Sequence, residues 1–332
     1  MAARTGKHCP RPLGAVVLAA LALAPLLAAA QPSGRSTPHG GIHITLKNEF
    51  IDQYKDRATI DVNFTVDKAH AKPNLPSKDG DLHVAGRAPE VGLPIVAEIM
   101  NAKFQSSFVD QIHEVEGTGK AVKMSGAWRL WCEHAKTAPQ KQGEDLQPFD
   151  TTNPDHVFEI HPITKINDKP LGPKSFKPIR GFETKDAHDA FVNYENLACR
   201  IVPHAGTTEI VTHMAGYNYV EFKIDLARGE SLVDLDDGKA ALCAVRDLEG
   251  ELLVRKARMV FVKDTEPFDR AGDLKAGKRL HVLGIPRIDL ALVAWRVENK
   301  DNPKYKGASP LTWNLPYELI VAAVYPGDDE GD

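Results

Sequence analysis

The order of strand and helix patterns in residues 59–166 constrains the fold more than any other feature of this chain. Residues 59–66 alternate apolar and polar side chains with a period of two, which is typical of a strand with one buried face. Four more segments show strand patterns: 81–84, 93–100, 121–133 and 157–166. Apolar residues at helical spacing in 104–116 fall between the third and fourth strands. Three strands, a helix and two strands is the order of an OB-like five-stranded barrel.

The second half of the chain is also rich in strand patterns. They follow residues 169–186, whose prolines, glycines and lysines are typical of an inter-domain linker. The predicted strands are 190–202, 208–226, 240–245, 252–262, 279–283, 290–297 and 316–324. We therefore predict a mainly β protein with a second β-rich domain, for which an OB-like barrel and a β-sandwich are both open.

The N-terminus has the pattern of a secretory signal peptide. Arg4, Lys7 and Arg11 precede the apolar residues 13–27, and three alanines lead to Gln31. The apolar run is shorter than the roughly 20 residues of a membrane span, so we expect no transmembrane segment after the signal is removed. The protein is expected to be periplasmic or secreted.

These patterns give a complete domain plan. Its segments are a signal peptide at 1–30, a flexible leader at 31–41, an OB-like barrel at 42–168, a linker at 169–186, a second β-rich domain at 187–326 and an acidic tail at 327–332.

The numbers of charged residues indicate which class of partner the chain binds. The chain has 41 Lys and Arg residues against 45 Asp and Glu residues, and the predicted signal peptide removes three of the basic ones. Nucleic-acid binders usually carry a basic stripe, and no dense Lys or Arg run is present. We therefore expect an extracytoplasmic protein, a glycan or a small molecule as partner, and the charge argues against nucleic acid.

The motifs favour binding over catalysis. Neither a GxSxG nucleophile motif nor a phosphate-binding GxxxxGK[ST] loop is present, so the sequence favours a protein that is not an enzyme. The predicted mature chain has three cysteines, Cys132, Cys199 and Cys243. Their apolar and strand-type neighbours favour buried thiols over a redox role.

Four short pieces carry a resemblance to known sequences. They are Asp-Gly-Asp-Leu-His at 79–83, Ile-Val-Ala-Glu-Ile at 95–99, Val-Lys-Met-Ser-Gly-Ala-Trp at 122–128 and Glu-Ile-His-Pro at 159–162. The region 59–167 resembles a group of secreted bacterial proteins with the order DGDxH, VEI, VxGxW, EIHP. That group often has an Asp and a His-Gly soon after VxGxW, where this chain has Trp-Cys-Glu-His at 131–134. The resemblance implies export and an OB-like fold, and it implies no activity.

Strand parity predicts a polar face on the outside of the first barrel. Alternate side chains of a strand point to opposite faces, so five ionisable groups are expected outside when the apolar residues point inward. These groups are Asp81, His83, Glu98, Glu159 and His161. Because the third strand of an OB barrel lies between the second and fifth, Glu98 is expected to bridge the other four.

Two functions are open for this face. The leading one is an exported binding or assembly module without a cofactor, with Arg129 and Trp131 as further contact residues and residues 135–155 at the edge. The alternative is a metal-dependent hydrolase, in which His83, Glu98 and His161 hold a divalent metal. For Trp131, exposure and packing under the 135–155 insertion are both open.

Overall fold

The computed structural model describes residues 41–136, 138–302, 304 and 314–326. The predicted signal peptide and acidic tail, and the leader up to residue 40, lie outside the described residues. None of the described helices is long and apolar enough to cross a membrane.

Strands make up most of the described chain. They are β1 Ile42–Lys47, β2 Thr59–Ala69, β3 Leu82–Arg87, β4 Ile95–Ile99, β5 Ala121–Leu130, β6 Gln140–Lys141, β7 Phe158–Ile166, β8 Lys169–Pro170, β9 Arg200–Pro203, β10 Thr207–Thr212, β11 Val220–Leu226, β12 Val233–Leu235, β13 Gly238–Arg246, β14 Leu252–Val262, β15 Leu280–Ile288 and β16 Tyr317–Val324. The α-helices are α1 Asn48–Tyr54, α2 Ser106–Val115, α3 Ala187–Asn196, α4 Glu266–Arg270 and α5 Leu290–Glu298. Short 3-10 helices cover Ala102–Phe104, Pro173–Phe176 and Ala271–Asp273.

The first barrel has the strand order β4-β3-β2-β5-β7 and closes through the parallel pair β4–β7. This is the predicted OB arrangement, with α2 between its third and fourth strands. The barrel forms because alternate residues of β2, such as Ile60, Val62 and Phe64, are buried in the core while their neighbours point outward. The predicted fold of this region is confirmed.

The second barrel repeats the same order. Strands β11, β13, β14, β16 and β15 are paired in sequence, and β11–β15 closes the ring. Its parallel pair is β14–β16, and α4 lies between its third and fourth strands. Of the two arrangements open for this region, the structure has the OB-like barrel.

A third sheet joins distant parts of the chain in the order β6-β1-β10-β9. In it, β1 pairs antiparallel with β10, so that Ile42 lies opposite Thr212. Residues 42–47 were assigned to the first barrel, but their strand pairs outside it. The described residues belong to one compact unit that spans 37–332, and the division into domains stays a prediction.

Two predicted strands are wrong, because residues 190–202 lie partly in α3 and residues 290–297 lie in α5. Each helix begins after a capping aspartate: Asp186 accepts from the backbone N–H of Asp189, and Asp289 accepts from that of Leu292. The apolar positions of α3 recur at three- and four-residue spacing, which was read as strand.

The predicted linker is packed against the barrels. Ser175, Phe176 and Ile179 are buried, and Ile179 belongs to an apolar cluster that contains residues of both barrels. Outward-facing Met100 and Ala127 of the first barrel meet strands of the second in this cluster. The described cysteines, Cys132, Cys199 and Cys243, are buried and unpaired, as the sequence favoured.

Candidate functional site

The predicted polar face of the first barrel is assembled, but it is buried. Asp81 and His161 are completely inaccessible, Glu98 and Glu159 are nearly so, and His83 retains a small exposed edge. Parity placed these side chains outside the barrel correctly, whereas the expectation of a solvated surface is wrong. The second barrel covers the face: Tyr219, which lies next to β11, reaches both Asp81 and His161.

His161 is the centre of this network. Its Nδ1 lies 3.4 Å from a carboxylate oxygen of Glu98 and 3.4 Å from one of Glu159. Its Nε2 lies 2.7 Å from the Tyr219 hydroxyl and 3.4 Å from Asp81. Burial by itself lowers the pKa of His161, but the surrounding carboxylates outweigh burial and raise it to about 10. His161 is therefore a buried cation.

His83 is the second cation of the network. Its Nε2 lies 3.7 Å from Asp79 and 3.6 Å from Glu98. Burial opposes the charge, but these two carboxylates raise the pKa of His83 to about 9. Burial also raises the pKa of Glu98 to about 6, against the attraction of His161 and His83. The predicted bridging position of Glu98 between the two histidines is present.

Arg129 is buried and holds the network to the second barrel. Its guanidinium donates to Glu159 at 2.5 Å and to Glu133 at 2.8 Å, and its Nε–H donates to the carbonyl of Pro286 at 3.0 Å. Burial raises the pKa of Glu159, but Arg129 overrides burial and holds that pKa well below its usual range. A surface position for Arg129 is therefore wrong, and in this structure the residue ties the barrels together.

Trp131 is also buried. Its ring meets Tyr194 edge to face with centroids 5.6 Å apart, and its indole N–H donates to the carbonyl of Gly216 at 3.4 Å. The open alternative of an exposed ring is therefore wrong. The partners of Trp131 come from α3 and the segment before β11, which the sequence did not associate with it.

Two of the three predicted metal ligands, Glu98 and His161, belong to a group of potential ligands in the structure. Asp81, Glu98 and His161 each offer a ligand atom within 4.8 Å of the others, so Asp81 takes the place predicted for His83. Both ring nitrogens of His161 already face carboxylates or the Tyr219 hydroxyl. As a protonated ring, His161 supplies the positive charge that a metal would supply, so this trio is a poor metal site.

An exposed aromatic ring lies at the end of the first barrel where β4 stops. Phe104 exposes 51% of its surface, the Lys103 ammonium lies 4.9 Å from its ring centroid, and the Lys174 ammonium lies 5.1 Å from it. Among the described residues, neither lysine is within ion-pair distance of a carboxylate. The sequence assigned Phe104 to the apolar face of a helix, and so this surface was missed.

A hollow of about 520 Å³ opens at the same end of the barrel. Its lining includes Lys68 of β2, His70 just after that strand, His113 of α2 and Thr152 of the 135–155 insertion. It thus lies between the loop that joins the first two strands and the loop that joins the last two. In OB-folds, these two loops border the ligand.

Comparisons with known proteins return a likeness of fold. No family model and no curated protein matches the chain. The Ifi202 HINa domain in complex with 20-bp dsDNA is 11% identical over 81% of this chain and 95% of its own, with a TM-score of 0.19. A murine DNA-binding protein bound to dsDNA is 10% identical over 81% and 97%, with a TM-score of 0.20. The p202 HIN1 domain with 12-mer dsDNA is 10% identical over 79% and 87%, with a TM-score of 0.18.

These neighbours correct the expectation about partners. The chain was expected to bind an extracytoplasmic protein, a glycan or a small molecule, and its charge was taken to argue against nucleic acid. That expectation is contradicted, because the structural neighbours are bound to double-stranded DNA. Their TM-scores do not assign a ligand to this chain, and whole-chain charge does not exclude one. The resemblance to secreted bacterial proteins stays a prediction.

Proposed function

We propose that the chain is a binding module that holds a single strand of nucleic acid at the loop end of its first barrel. The observation that carries this proposal is the exposed ring of Phe104, with the ammonium groups of Lys103 and Lys174 at 4.9 and 5.1 Å from its centroid. An unpaired base can stack on such a ring while a neighbouring phosphate meets a lysine.

The surroundings of the two lysines support this role. Other lysines on the same barrel are paired, such as Lys123 with Asp168 and Lys165 with Asp264. Lys103 and Lys174 face the ring without such a partner in the described chain, so their charge is available to an anion. The net negative charge of the whole chain does not cancel this, because charges beyond about 8 Å are largely screened at physiological salt.

The position of Phe104 also fits an OB barrel. The ring follows the third strand, at the end of the barrel where the loop between β2 and β3 lies: the N–H of Ala102 donates to the carbonyl of Gly80. The strand face that OB-folds often use is covered by the second barrel. The loops are therefore the part of this barrel that remains accessible to a ligand.

We also propose that this module works outside the cytoplasm. The signal-peptide pattern of residues 1–30 supports export, and nothing in the proposed contact requires a cytoplasmic partner. The hydrolase alternative has less support, because Asp81, Glu98 and His161 are closed off from any substrate by the second barrel.

The test is fluorescence anisotropy with the chain from Gln31 and a labelled oligothymidylate of about 20 nucleotides. We expect binding at low salt that weakens as NaCl rises. Phe104→Ala should weaken it about 5- to 150-fold, since one base–aromatic stack contributes about 1–3 kcal/mol. Replacing both Lys103 and Lys174 by Gln should reduce the salt dependence.

Val233→Ala is the matched control, because Val233 is also an exposed apolar residue, 45% accessible, and lies in β12, which pairs with β13 of the second barrel. It should bind the oligonucleotide as the parent chain does. A labelled duplex of the same length should bind more weakly, because its bases are not free to stack. No binding of the single strand, or equal binding by Phe104→Ala, would refute the proposal.

A further inference from the structure

A second cluster of potential metal ligands lies beside the buried network. His134, His156 and Glu159 each offer one ligand atom, and these atoms all lie within 4.8 Å of one another. Glu159 is on β7, His156 lies two residues before that strand, and His134 follows β5. Because β5 and β7 are paired neighbours, the barrel itself brings the three side chains together.

One ring nitrogen of His156 is anchored by a backbone carbonyl. The side chain is 1% exposed, and its Nδ1 lies 2.8 Å from the carbonyl oxygen of Pro154. A carbonyl only accepts, so Nδ1 carries the hydrogen and Nε2 of the neutral ring carries a lone pair. Metal-binding histidines are commonly oriented by such a bond from the other ring nitrogen.

The surroundings of the His156 Nε2 are unusual for a buried ring nitrogen. It lies 3.4 Å from Oε1 of Glu159, yet no hydrogen bond to it is formed within the described part of the chain. If Nε2 carries no hydrogen, its lone pair faces a carboxylate oxygen in a dry environment, which is unfavourable unless a proton or a metal cation lies between the two atoms.

The two oxygens of Glu159 have different neighbours. Oε2 accepts from Arg129 and lies 3.4 Å from His161, whereas Oε1 faces His156. The carboxylate can therefore bind an ion through Oε1 without giving up its pairing with Arg129.

His134 supplies access from solvent. It lines a surface hollow of about 230 Å³, together with Glu133, Pro154 and the exposed Met214. The rings of His134 and His156 are stacked with centroids 5.1 Å apart. His134 is partly exposed, so its ring can meet an ion that enters from this hollow.

The local charge also favours a divalent cation. The connected carboxylates are Asp79, Asp81, Glu98, Glu133 and Glu159, and the cations paired with them are His83, Arg129 and His161. Carboxylates thus outnumber cations in a region that is largely shielded from water. A bound divalent ion would balance them.

We propose that His134, His156 and Glu159 form a Zn²⁺ site that opens to the surface hollow. Two imidazole nitrogens and one carboxylate oxygen are a ligand set typical of zinc, with a fourth position left for water. The ligand atoms close in around the ion by a small movement of the partly exposed His134.

The test is calorimetric titration of the chelator-stripped chain with ZnCl₂, with Co²⁺ absorption as a second readout of tetrahedral coordination. We expect one equivalent bound in the micromolar range or tighter. His134→Ala should weaken binding by about 100-fold or more, since even loss of an outer-shell partner often costs 10–100-fold. His134 is partly exposed, so this variant should keep its fold, which circular dichroism will verify.

His188→Ala is the matched control, because His188 belongs to an exposed trio with Asp186 and Asp189 that could also attract zinc. This variant should still bind one equivalent of zinc. The proposal is overturned by absence of micromolar binding, by unchanged binding in folded His134→Ala, or by loss of the ion in His188→Ala. Oligonucleotide binding at Phe104 is independent of each of these outcomes.

Discussion

Arg129 and Arg287 occupy equivalent positions on the fourth strands of the two barrels, and each reaches into the other barrel. Arg129 Nε–H donates to the carbonyl of Pro286, which directly precedes Arg287. Arg287 donates in return to the carbonyl of Trp128, which directly precedes Arg129. The two barrels are thus joined by a reciprocal pair of contacts with approximate twofold symmetry.

Each arginine is paired with a glutamate on the neighbouring fifth strand. Arg129 lies opposite Glu159 in the register of β5 and β7, and Arg287 lies opposite Glu318 in that of β15 and β16. Both ion pairs are buried. Arg287 also stacks on Trp128, with its guanidinium carbon 3.6 Å from the ring centroid.

We predict that Arg287→Met costs about 3–5 kcal/mol of unfolding free energy, since it leaves Glu318 buried with only a weaker contact to Arg258. The double variant Arg287→Met, Glu318→Leu should be more stable than the single one, because it removes the unpaired charge. Urea denaturation followed by fluorescence measures both values. A double variant less stable than the single one would contradict this account of the pair.

We predict that stability falls as pH rises from about 6.5 to 9 because of His83. Its pKa is about 9 in the folded chain and about 6.5 when unfolded, so unfolding releases a proton in this window. The contribution is complete below pH 6.5 and lost above 9, with a slope of at most about 1.4 kcal/mol per pH unit. His83→Gln should reduce the slope of urea-derived stability over this range and leave the part due to His161, whose pKa is about 10, whereas exposed His188→Gln should leave the whole slope as it is.

We predict that Gly126→Ala destabilises the first barrel by about 1–3 kcal/mol. A Cβ at Gly126 would lie 2.5 Å from Cγ2 of Ile160 and 2.6 Å from the carbonyl oxygen of Pro162. Gly216→Ala is the control, since a Cβ there would meet nothing within 4 Å. Thermal unfolding gives the melting temperature of each variant. Equal melting temperatures would contradict the prediction, because they would mean that β7 moves aside without loss of stability.

We predict that the chain is processed between Ala30 and Gln31. Intact-mass analysis of the protein made in a secreting bacterium should give the mass of residues 31–332, with the protein in the periplasm or medium. Replacing Leu18 and Leu21 of the apolar run by Arg should block export and leave the precursor in the cell. Export of that variant would remove the basis for the signal assignment.

Strand parity was the most reliable guide to this structure. It placed Asp81 and His83 outside the first barrel because period-two alternation depends only on the local backbone. It gave no information on which part of the chain covers the outer face of the barrel. Outward-facing Met100 and Ala127 were the available signal, since apolar residues on both faces of a strand indicate cover on both sides.

The internal repeat was also present in the sequence and was missed. Gly126 precedes Arg129 by three residues, and Gly284 precedes Arg287 by three. Later, Phe-Glu at 158–159 corresponds to Tyr-Glu at 317–318. A comparison of the two halves would have predicted the second barrel and its buried ion pair. The identity of the residues that meet across the barrels would still have required the structure, because no local pattern encodes an interface.

The pairing of β1 with β10 affects how the chain folds during synthesis. The first strand of the described chain has its antiparallel partner at residues 207–212. A nascent polypeptide therefore emerges with this edge unsatisfied until roughly two thirds of it has been made. Such late closure slows folding, and slow folding would favour the export that we predict for this chain, since a precursor is translocated unfolded.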